Sequence, residues 1–178
     1  MLDILMYGAI AVAVVIVALL IYAATKPDNF RVQRTKEINA PAERIFPLIA
    51  NLKSMNTWSP FAEADPAIKI SYSGPESGKG AAHTWSGNSK VGEGRIEITE
   101  TAPPARVALR LVMVKPMMAD NAVEFTLAPN GRGTNVTWAM SGKQPLLGKL
   151  MSLFIDCDRM VGSQFEKGLG SLKAIAER

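Results

Sequence analysis

Cysteine and histidine are nearly absent from this sequence, because its 178 residues include only Cys157 and His83. A single cysteine cannot form a disulfide within the chain, which agrees with a reducing compartment. One histidine and one cysteine also cannot supply the ligands of a usual zinc site. We therefore expect no metal and no redox cofactor.

Nucleotide and nucleic-acid binding lack their usual signals as well. Residues 74–80, GPESGKG, resemble a phosphate-binding loop, but their glycines are one residue too close together. Gly80 also stands where the magnesium-binding Ser or Thr belongs. The basic residues are scattered along the chain without interleaved aromatics, so we expect no nucleic acid as a partner.

Charge and proline are missing from residues 4–25. As a helix, about 22 residues rise about 33 Å, which is enough to cross the hydrocarbon core of a bilayer. The alternatives are a buried core helix and a signal peptide, but the acidic Asp3 and the sequence AAT at 23–25 are poor signal-peptide features. We expect an uncleaved transmembrane anchor at 1–25, a linker at 26–29 and a folded domain at 30–178.

Positive charge follows this apolar segment, in Lys26, Arg31, Arg34 and Lys36. The positive-inside tendency then predicts a single-pass membrane protein whose domain lies in the cytoplasm. Setting Asp3 aside leaves 20 basic residues against one fewer than the 16 acidic residues, a net charge of about +5. Such a surface suits anionic lipid headgroups, or is simply a solvated face.

Apolar and polar residues alternate in seven segments of the remaining chain, which predicts seven strands. In the first, Phe30, Val32 and Ile38 share one face, and we expect the charged residues on the other. A helix is predicted over 41–50, and a short helical turn carrying Trp58 should stop at Pro60. The predicted strands are 30–39, 67–73, 81–86, 91–101, 106–114, 122–127 and 134–141.

The spacing of apolar residues changes near the carboxyl terminus, where they recur every three or four positions. This spacing predicts one long amphipathic helix from about Pro145 to Ala176. Its apolar stripe needs a surface to cover, and the inner faces of seven strands provide one. The order therefore predicts an α+β fold, with a curved antiparallel sheet around the helix.

Several short motifs in this order carry a family resemblance. They include APAERIF at 40–46, WSPF at 58–61, GEG at 92–94, DRMVG at 158–162 and FEKGL at 165–169. With these motifs, residues 30–173 resemble the START-like, helix-grip (SRPBCC) superfamily in its polyketide cyclase/dehydrase-type branch. The resemblance implies a helix-grip fold with a cavity between the sheet and the long helix, and it describes a container rather than a reaction.

Methionine and tryptophan supply most of the candidates for lining that cavity. Methionine adapts to varied apolar ligands, and a buried indole N–H can orient a polar group, although the same residues can plug an irregular core. The candidate cavity-lining residues are Trp58, His83, Trp85, Met113, Met117, Phe125, Trp138, Met140 and Phe154.

Acid–base chemistry has few candidates. His83 shares its strand face with Trp85 and should point inward, where it can titrate near neutral pH. Glu93 and Arg95 should point outward, Glu124 is a further candidate, and Asp156 and Asp158 cannot share a helix face. We therefore assign no catalytic residue from the sequence.

The leading hypothesis is a membrane-anchored, non-catalytic domain that binds an apolar small molecule such as a lipid or an isoprenoid-like compound. The alternatives are a cyclase or dehydratase that acts on a hydrophobic substrate through His83, and a protein-interaction or stress-response module. Each of these hypotheses is compatible with a monomer or with an oligomer.

Overall fold

The computed structural model describes residues 2–153 and 156–178, without the side chains of residues 2–5 and Ala9. The helices are α1 (Leu2–Ala24), α2 (Ala42–Ala50), α3 (Leu52–Asn56), α4 (Pro60–Glu63), α5 (Leu146–Met151) and α6 (Cys157–Ala176). The strands are β1 (Asn29–Ile38), β2 (Lys69–Ser73), β3 (Ala82–Ser86), β4 (Glu93–Ala102), β5 (Arg106–Lys115), β6 (Ala119–Asn130) and β7 (Gly133–Lys143).

The seven strands form one antiparallel sheet in the order β1-β7-β6-β5-β4-β3-β2. Side chains alternate across it, so that Val32, Leu109 and Val123 are buried on the inner face. The α2 helix covers β5 and β6, whereas α6 lies mainly on β1. The predicted α+β fold, a seven-stranded antiparallel sheet gripping a carboxyl-terminal helix, is confirmed.

Antiparallel pairing gives the sheet two distinct ends. At one end lie the start of β1, the β3–β4 connection, the β5–β6 connection at 116–118 and the end of β7, where Asn29 pairs with Lys143. Because α1 leads into β1 here, we call this the α1 end. The β2–β3, β4–β5 and β6–β7 connections lie at the opposite, far end.

The carboxyl-terminal helix is shorter than predicted. Helix α5 ends at Met151 and α6 begins only at Cys157, so the prediction of one continuous helix from Pro145 to Ala176 is wrong. The carboxylate of Asp156 accepts a hydrogen bond from the backbone N–H of Arg159 and caps α6. Apolar spacing continues past this cap, which is why periodicity alone predicted one helix.

The corner after α2 also differs in detail. The turn that carries Trp58 ends before Pro60, as predicted, because Ser59 is extended. Pro60 also occupies the first position of a further helix, α4, where its missing N–H leaves no helical hydrogen bond unmade. Trp58 lies before it, fully buried, and donates its indole N–H to the Leu48 carbonyl oxygen at 2.9 Å. The chain between α2 and α4 therefore places the Trp58 side chain in the core.

Helix α1 is exposed along most of its length. Its segment Met6–Ala24 has a mean hydropathy of 2.5, and among the described residues it is the one helix long and apolar enough to cross a membrane. Tyr7 is 67% exposed and Ile21 is 62% exposed, unlike the side chains of a core helix. A signal sequence near the amino terminus passes the same test of length and hydropathy.

Candidate ligand-binding site

The middle of the inner face is filled by four aromatic rings. Trp138 stacks on Phe165 of α6 at 4.2 Å between ring centroids, and Phe125 lies 4.9 Å from Trp138. Trp58 meets Trp138 edge to face at 5.7 Å. Gly168 allows this packing, because a Cβ there would lie 2.8 Å from the Trp138 ring. Here the candidates Trp58, Phe125 and Trp138 belong to a packed core.

A row of cross-strand partners follows toward the α1 end. Phe30, Ile96 and Leu111 in this row pack against the core, yet they are only half buried. Arg34 and Glu37 of β1 are hydrogen-bonded to α6, on the other side of this row from α1. Just beyond both elements, the Asn39 N–H donates to the Glu177 carboxylate. We call this row of cross-strand partners the inner row. Its members are Phe30, Gly142, Asn121, Leu111, Ile96, His83 and Tyr72.

His83 is the buried titratable group of the inner row, with 7% of its surface exposed. Its ring lies edge to face with Tyr72 at 5.5 Å and with Trp85 at 5.9 Å. The Nδ1 atom is buried and has no hydrogen-bond partner among the described residues. Because burial disfavours the charged imidazolium, the pKa of His83 falls to about 4. His83 is therefore neutral at pH 7.

The remaining candidates border the inner row or lie beyond it. Trp85 lies across Gly94, where a Cβ would be 2.6 Å from the ring, and donates its indole N–H to the Val91 carbonyl oxygen. Met113 and Met140 are half buried on either side of the row. Met117 is 52% exposed in the β5–β6 connection. Phe154 lies outside the described residues.

Sequence reasoning missed Arg34, which lies on the inner face of β1 rather than the outer one. Its guanidinium donates to both carboxylate oxygens of Asp158, at 2.9 and 3.2 Å, and to Glu166 at 2.8 Å. A Cβ at Gly162 would collide with it. These hydrogen bonds raise the pKa of Arg34 and lower that of Asp158. The signal was the four-residue spacing of Asp158, Gly162 and Glu166, which puts them on one helix face.

Comparison with known families agrees with this arrangement. The family described as polyketide cyclase / dehydrase and lipid transport matches residues 29–177. The chain belongs to this family. Among curated proteins, none matches the chain in sequence.

Solved structures similar to this family member share its fold at low identity. A protein from Chromobacterium violaceum is 16% identical, with 86% of this chain and 99% of that chain covered and a TM-score of 0.59. The Aha1 dimer from Colwellia psychrerythraea is 17% identical, with 83% and 96% covered and a TM-score of 0.59. A protein from Thermus thermophilus is 17% identical, with 83% and 97% covered and a TM-score of 0.60. At these identities the likeness establishes the fold.

The acid–base candidates of this family member, His83 excepted, are engaged in ion pairs or helix capping. Glu93 pairs with Lys115, whose ammonium group lowers the Glu93 pKa, and Arg95 pairs with Glu97. Glu124 binds Arg106 at 2.7 Å. Asp156 caps α6 and Asp158 binds Arg34, as described above. Among the described residues, no group of three His, Cys, Asp or Glu side chains could hold a metal ion.

A second concave surface was not expected from the sequence. A groove of about 760 Å³ crosses the outer face of the sheet. Its row of cross-strand partners, Arg31, Ser141, Ala122 and Arg110, alternates with buried residues and so faces away from the core. Arg110 is bound by Asp120 at 2.6 Å. Phe30, Leu109 and Asn121 also border the groove, so its lining is a mixture of polar and apolar atoms.

Proposed function

We propose that the chain is a membrane-anchored binding protein that holds an apolar small molecule against the inner row. The observation that carries this proposal is the half burial of Phe30, Ile96 and Leu111, which are continuous with the core. A ligand that completes their burial gains about 25 cal/mol per Å² of apolar surface, so about 300 Å² of ligand and protein surface together contributes about 7.5 kcal/mol before the entropic cost of association.

His83 supports a ligand with one hydrogen-bonding group among its apolar atoms. A buried polar atom without a partner costs about 1 to 3 kcal/mol, and Nδ1 of His83 is such an atom. A ligand hydroxyl or carbonyl would remove this cost once a rotation of the His83 ring uncovers Nδ1. A lipid-like molecule with a single polar head has this chemistry.

Membrane anchoring through α1 supports an apolar ligand as well. The helix exposes apolar side chains, such as Val14 and Ile21, that bury favourably in hydrocarbon. Basic residues follow it, which favours a cytoplasmic domain. Molecules that partition into the bilayer would then be concentrated beside the domain.

Binding without catalysis is favoured over a cyclase or dehydratase. A general base is most effective with a pKa near the working pH, whereas the pKa of His83 is about 4. The strand carboxylates Glu93 and Glu124 lie on the outer face, opposite the inner row, and are held by Lys115 and Arg106. The inner row thus offers recognition rather than proton transfer.

A photoreactive fatty acid with a diazirine group tests this proposal. The full chain in lipid nanodiscs is irradiated with this probe, and the modified peptides are mapped by mass spectrometry. We expect modification in β4, β5 and β6 on residues of the inner face, with Leu111→Trp reducing it several-fold because the indole occupies the site.

Ala122→Trp is the matched control, since it adds the same side chain on the neighbouring strand but on the exposed outer face. Its labelling should equal that of the wild type. Labelling that is spread evenly over the domain, or that Leu111→Trp leaves unchanged, would contradict the proposal.

A further inference from the structure

We propose that α5 and the tip of the β5–β6 hairpin lie in the headgroup layer of the bilayer, so that the inner row opens onto the membrane. This inference rests on the anchoring role of α1 proposed above. It concerns a surface outside the inner row, formed by residues 114–118 and by α5. We call this surface the apolar rim.

The apolar rim exposes large hydrophobic side chains that the fold leaves without cover. In the hairpin, Met118 is 89% exposed, and Val114 and Met117 are each more than half exposed. In α5, Leu147 is 61% exposed and Leu146 is 50% exposed. Exposed apolar clusters of this kind are uncommon on a monomer in water and mark a protein or membrane contact.

Sheet topology places both parts of the rim at the α1 end. The β5–β6 connection follows Lys115, and α5 begins three residues after β7 ends at Lys143. Asn29, the first residue of β1, pairs with Lys143 there. Only residues 25–28 separate α1 from β1, and such a short segment keeps this end of the domain close to the end of the helix.

Direct contacts hold α5 against the end of α1. Helix α1 packs on α5, and Ala23 in the last turn of α1 is fully buried. Lys149 of α5, itself 7% exposed, pairs with Asp28 at 2.6 Å, and the Gln144 N–H donates to the Asp28 carbonyl oxygen at 2.7 Å. If α1 crosses the bilayer, α5 is therefore fixed at the bilayer surface.

Charge at the α1 end suits an anionic lipid surface rather than an apolar protein partner. Lys26, Lys90 and Lys143 lie there without an ion-pair partner among the described residues. Asp28, Glu93 and Asp120 lie there too, but each is paired with a lysine or an arginine. Basic side chains around exposed methionine and leucine are typical of surfaces that lie at the membrane interface.

Site-specific quenching tests the inference on the full chain. In a Cys157→Ser background, a single cysteine replaces Met118 or, as the control, Arg132 in the β6–β7 turn at the far end. Each carries the fluorophore NBD, and the chain is reconstituted at one copy per nanodisc of phosphatidylcholine and phosphatidylglycerol, with and without a headgroup nitroxide lipid. We expect the nitroxide to quench the label at 118 several-fold more than the label at 132. A Leu147→Cys label should behave like the label at 118.

Three other outcomes would overturn the inference. Equal, weak quenching at 118 and 132 while the chain resists alkaline carbonate extraction would refute the apolar rim and leave the anchor intact. Release of the chain by carbonate would remove the anchor and the rim together. If the label at 118 is shielded from water only when a disc holds two copies of the chain, the rim would be a contact between copies rather than a contact with lipid.

Discussion

His83 is the buried polar residue that we propose to contact the ligand. It is the only histidine of the chain, and it lies among Tyr72, Trp85 and Ile96 with its Nδ1 atom buried and unpaired among the described residues. A neutral imidazole at this place can accept or donate one hydrogen bond, according to its tautomer. The same burial that suits it to recognition makes it a weak base.

The low pKa of His83 predicts a pH dependence of stability. The pKa is about 4 in the folded chain and 6.5 as the ordinary value. Between these pH values the unfolded chain binds more protons, so the free energy of unfolding should fall as pH decreases from about 6.5 to 4, by on the order of 2 kcal/mol. NMR of the single imidazole should show no titration between pH 5 and 8.

His83→Gln is the control for this prediction, because it keeps a polar side chain but removes the titration. Urea unfolding of this variant in mild detergent should show a weaker pH dependence between 4 and 6.5, and the part that remains comes from carboxylates such as Glu93, whose pKa is lowered in the folded chain. An imidazole in the wild-type chain that titrates near 6.5 would show that His83 is solvated rather than buried.

The stacked pair of Trp138 and Phe165 fills the middle of the interior, and its removal should be costly. Phe165 is 2% exposed, so we expect Phe165→Ala to lower the free energy of unfolding by about 3 to 5 kcal/mol through lost burial and a cavity. Phe61→Ala is matched to it, because Phe61 also contacts Trp138, at 6.5 Å, but is 44% exposed. Urea unfolding should show a loss below about 1 kcal/mol for Phe61→Ala. Equal losses would mean that the Trp138 and Phe165 stack is not the centre of the core.

Among the elements, α6 is held to the sheet by polar contacts as well as by its apolar stripe. Arg34 joins β1 to Asp158 and Glu166, which lie on one face of α6. A guanidinium that binds two carboxylates fixes orientation better than an apolar contact does. The first half of α6 therefore depends on one residue of β1.

Arg34→Ala should loosen that half of the helix. We expect faster amide hydrogen exchange over residues 158–166 and a lower Tm, while exchange over 167–176 changes less, because Leu169 and Leu172 stay buried. Arg31→Ala is the control, since Arg31 is exposed on the outer face of the same strand and bonds only to Gln33 among the described residues. Uniform exchange changes along α6, or equal effects of both variants, would contradict this role of Arg34.

The strands were the most predictable elements, because each alternates over enough residues to mark its buried face. In β1 the same alternation was misread: Arg34 and Lys36 share the face of Phe30 and Val32, and the charge of Arg34 is accommodated there by its carboxylate partners on α6. The break before α6 was missed because a capping aspartate at 156 does not interrupt apolar spacing. The sequence could not distinguish the inner row from the packed core. Both have apolar residues on the inner face, and the burial of each residue depends on which part of the sheet α6 covers.

At the scale of the whole molecule, the protein joins an apolar helix to a helix-grip domain. The half-buried inner row of that domain lies at the end of the sheet nearer to the helix. The sequence predicts both parts and the order in which they occur. Their contact through α5 needs the structure, because Lys149 and Asp28 are 121 residues apart in the chain. The proposed arrangement brings the inner row close to the bilayer that would supply its ligand.

Cys157 offers a natural probe of the membrane topology, since it is exposed at the start of α6. With a cytoplasmic domain, a membrane-impermeant maleimide should modify it only after cells that express the chain are permeabilised. In a Cys157→Ser chain, Asp3→Cys on the other side of α1 should be modified in intact cells. Modification of Cys157 in intact cells, or a mature chain without residues 1–25, would contradict the expected anchor and its orientation.

Native mass spectrometry of the full chain, released from nanodiscs under gentle conditions, tests the central claim most directly. The account predicts a population of the chain that carries one apolar molecule in a 1:1 complex, and that population should be lost in Leu111→Trp but kept in Ala122→Trp. A bare wild-type chain, or an adduct that Leu111→Trp retains in full, would contradict binding at the inner row.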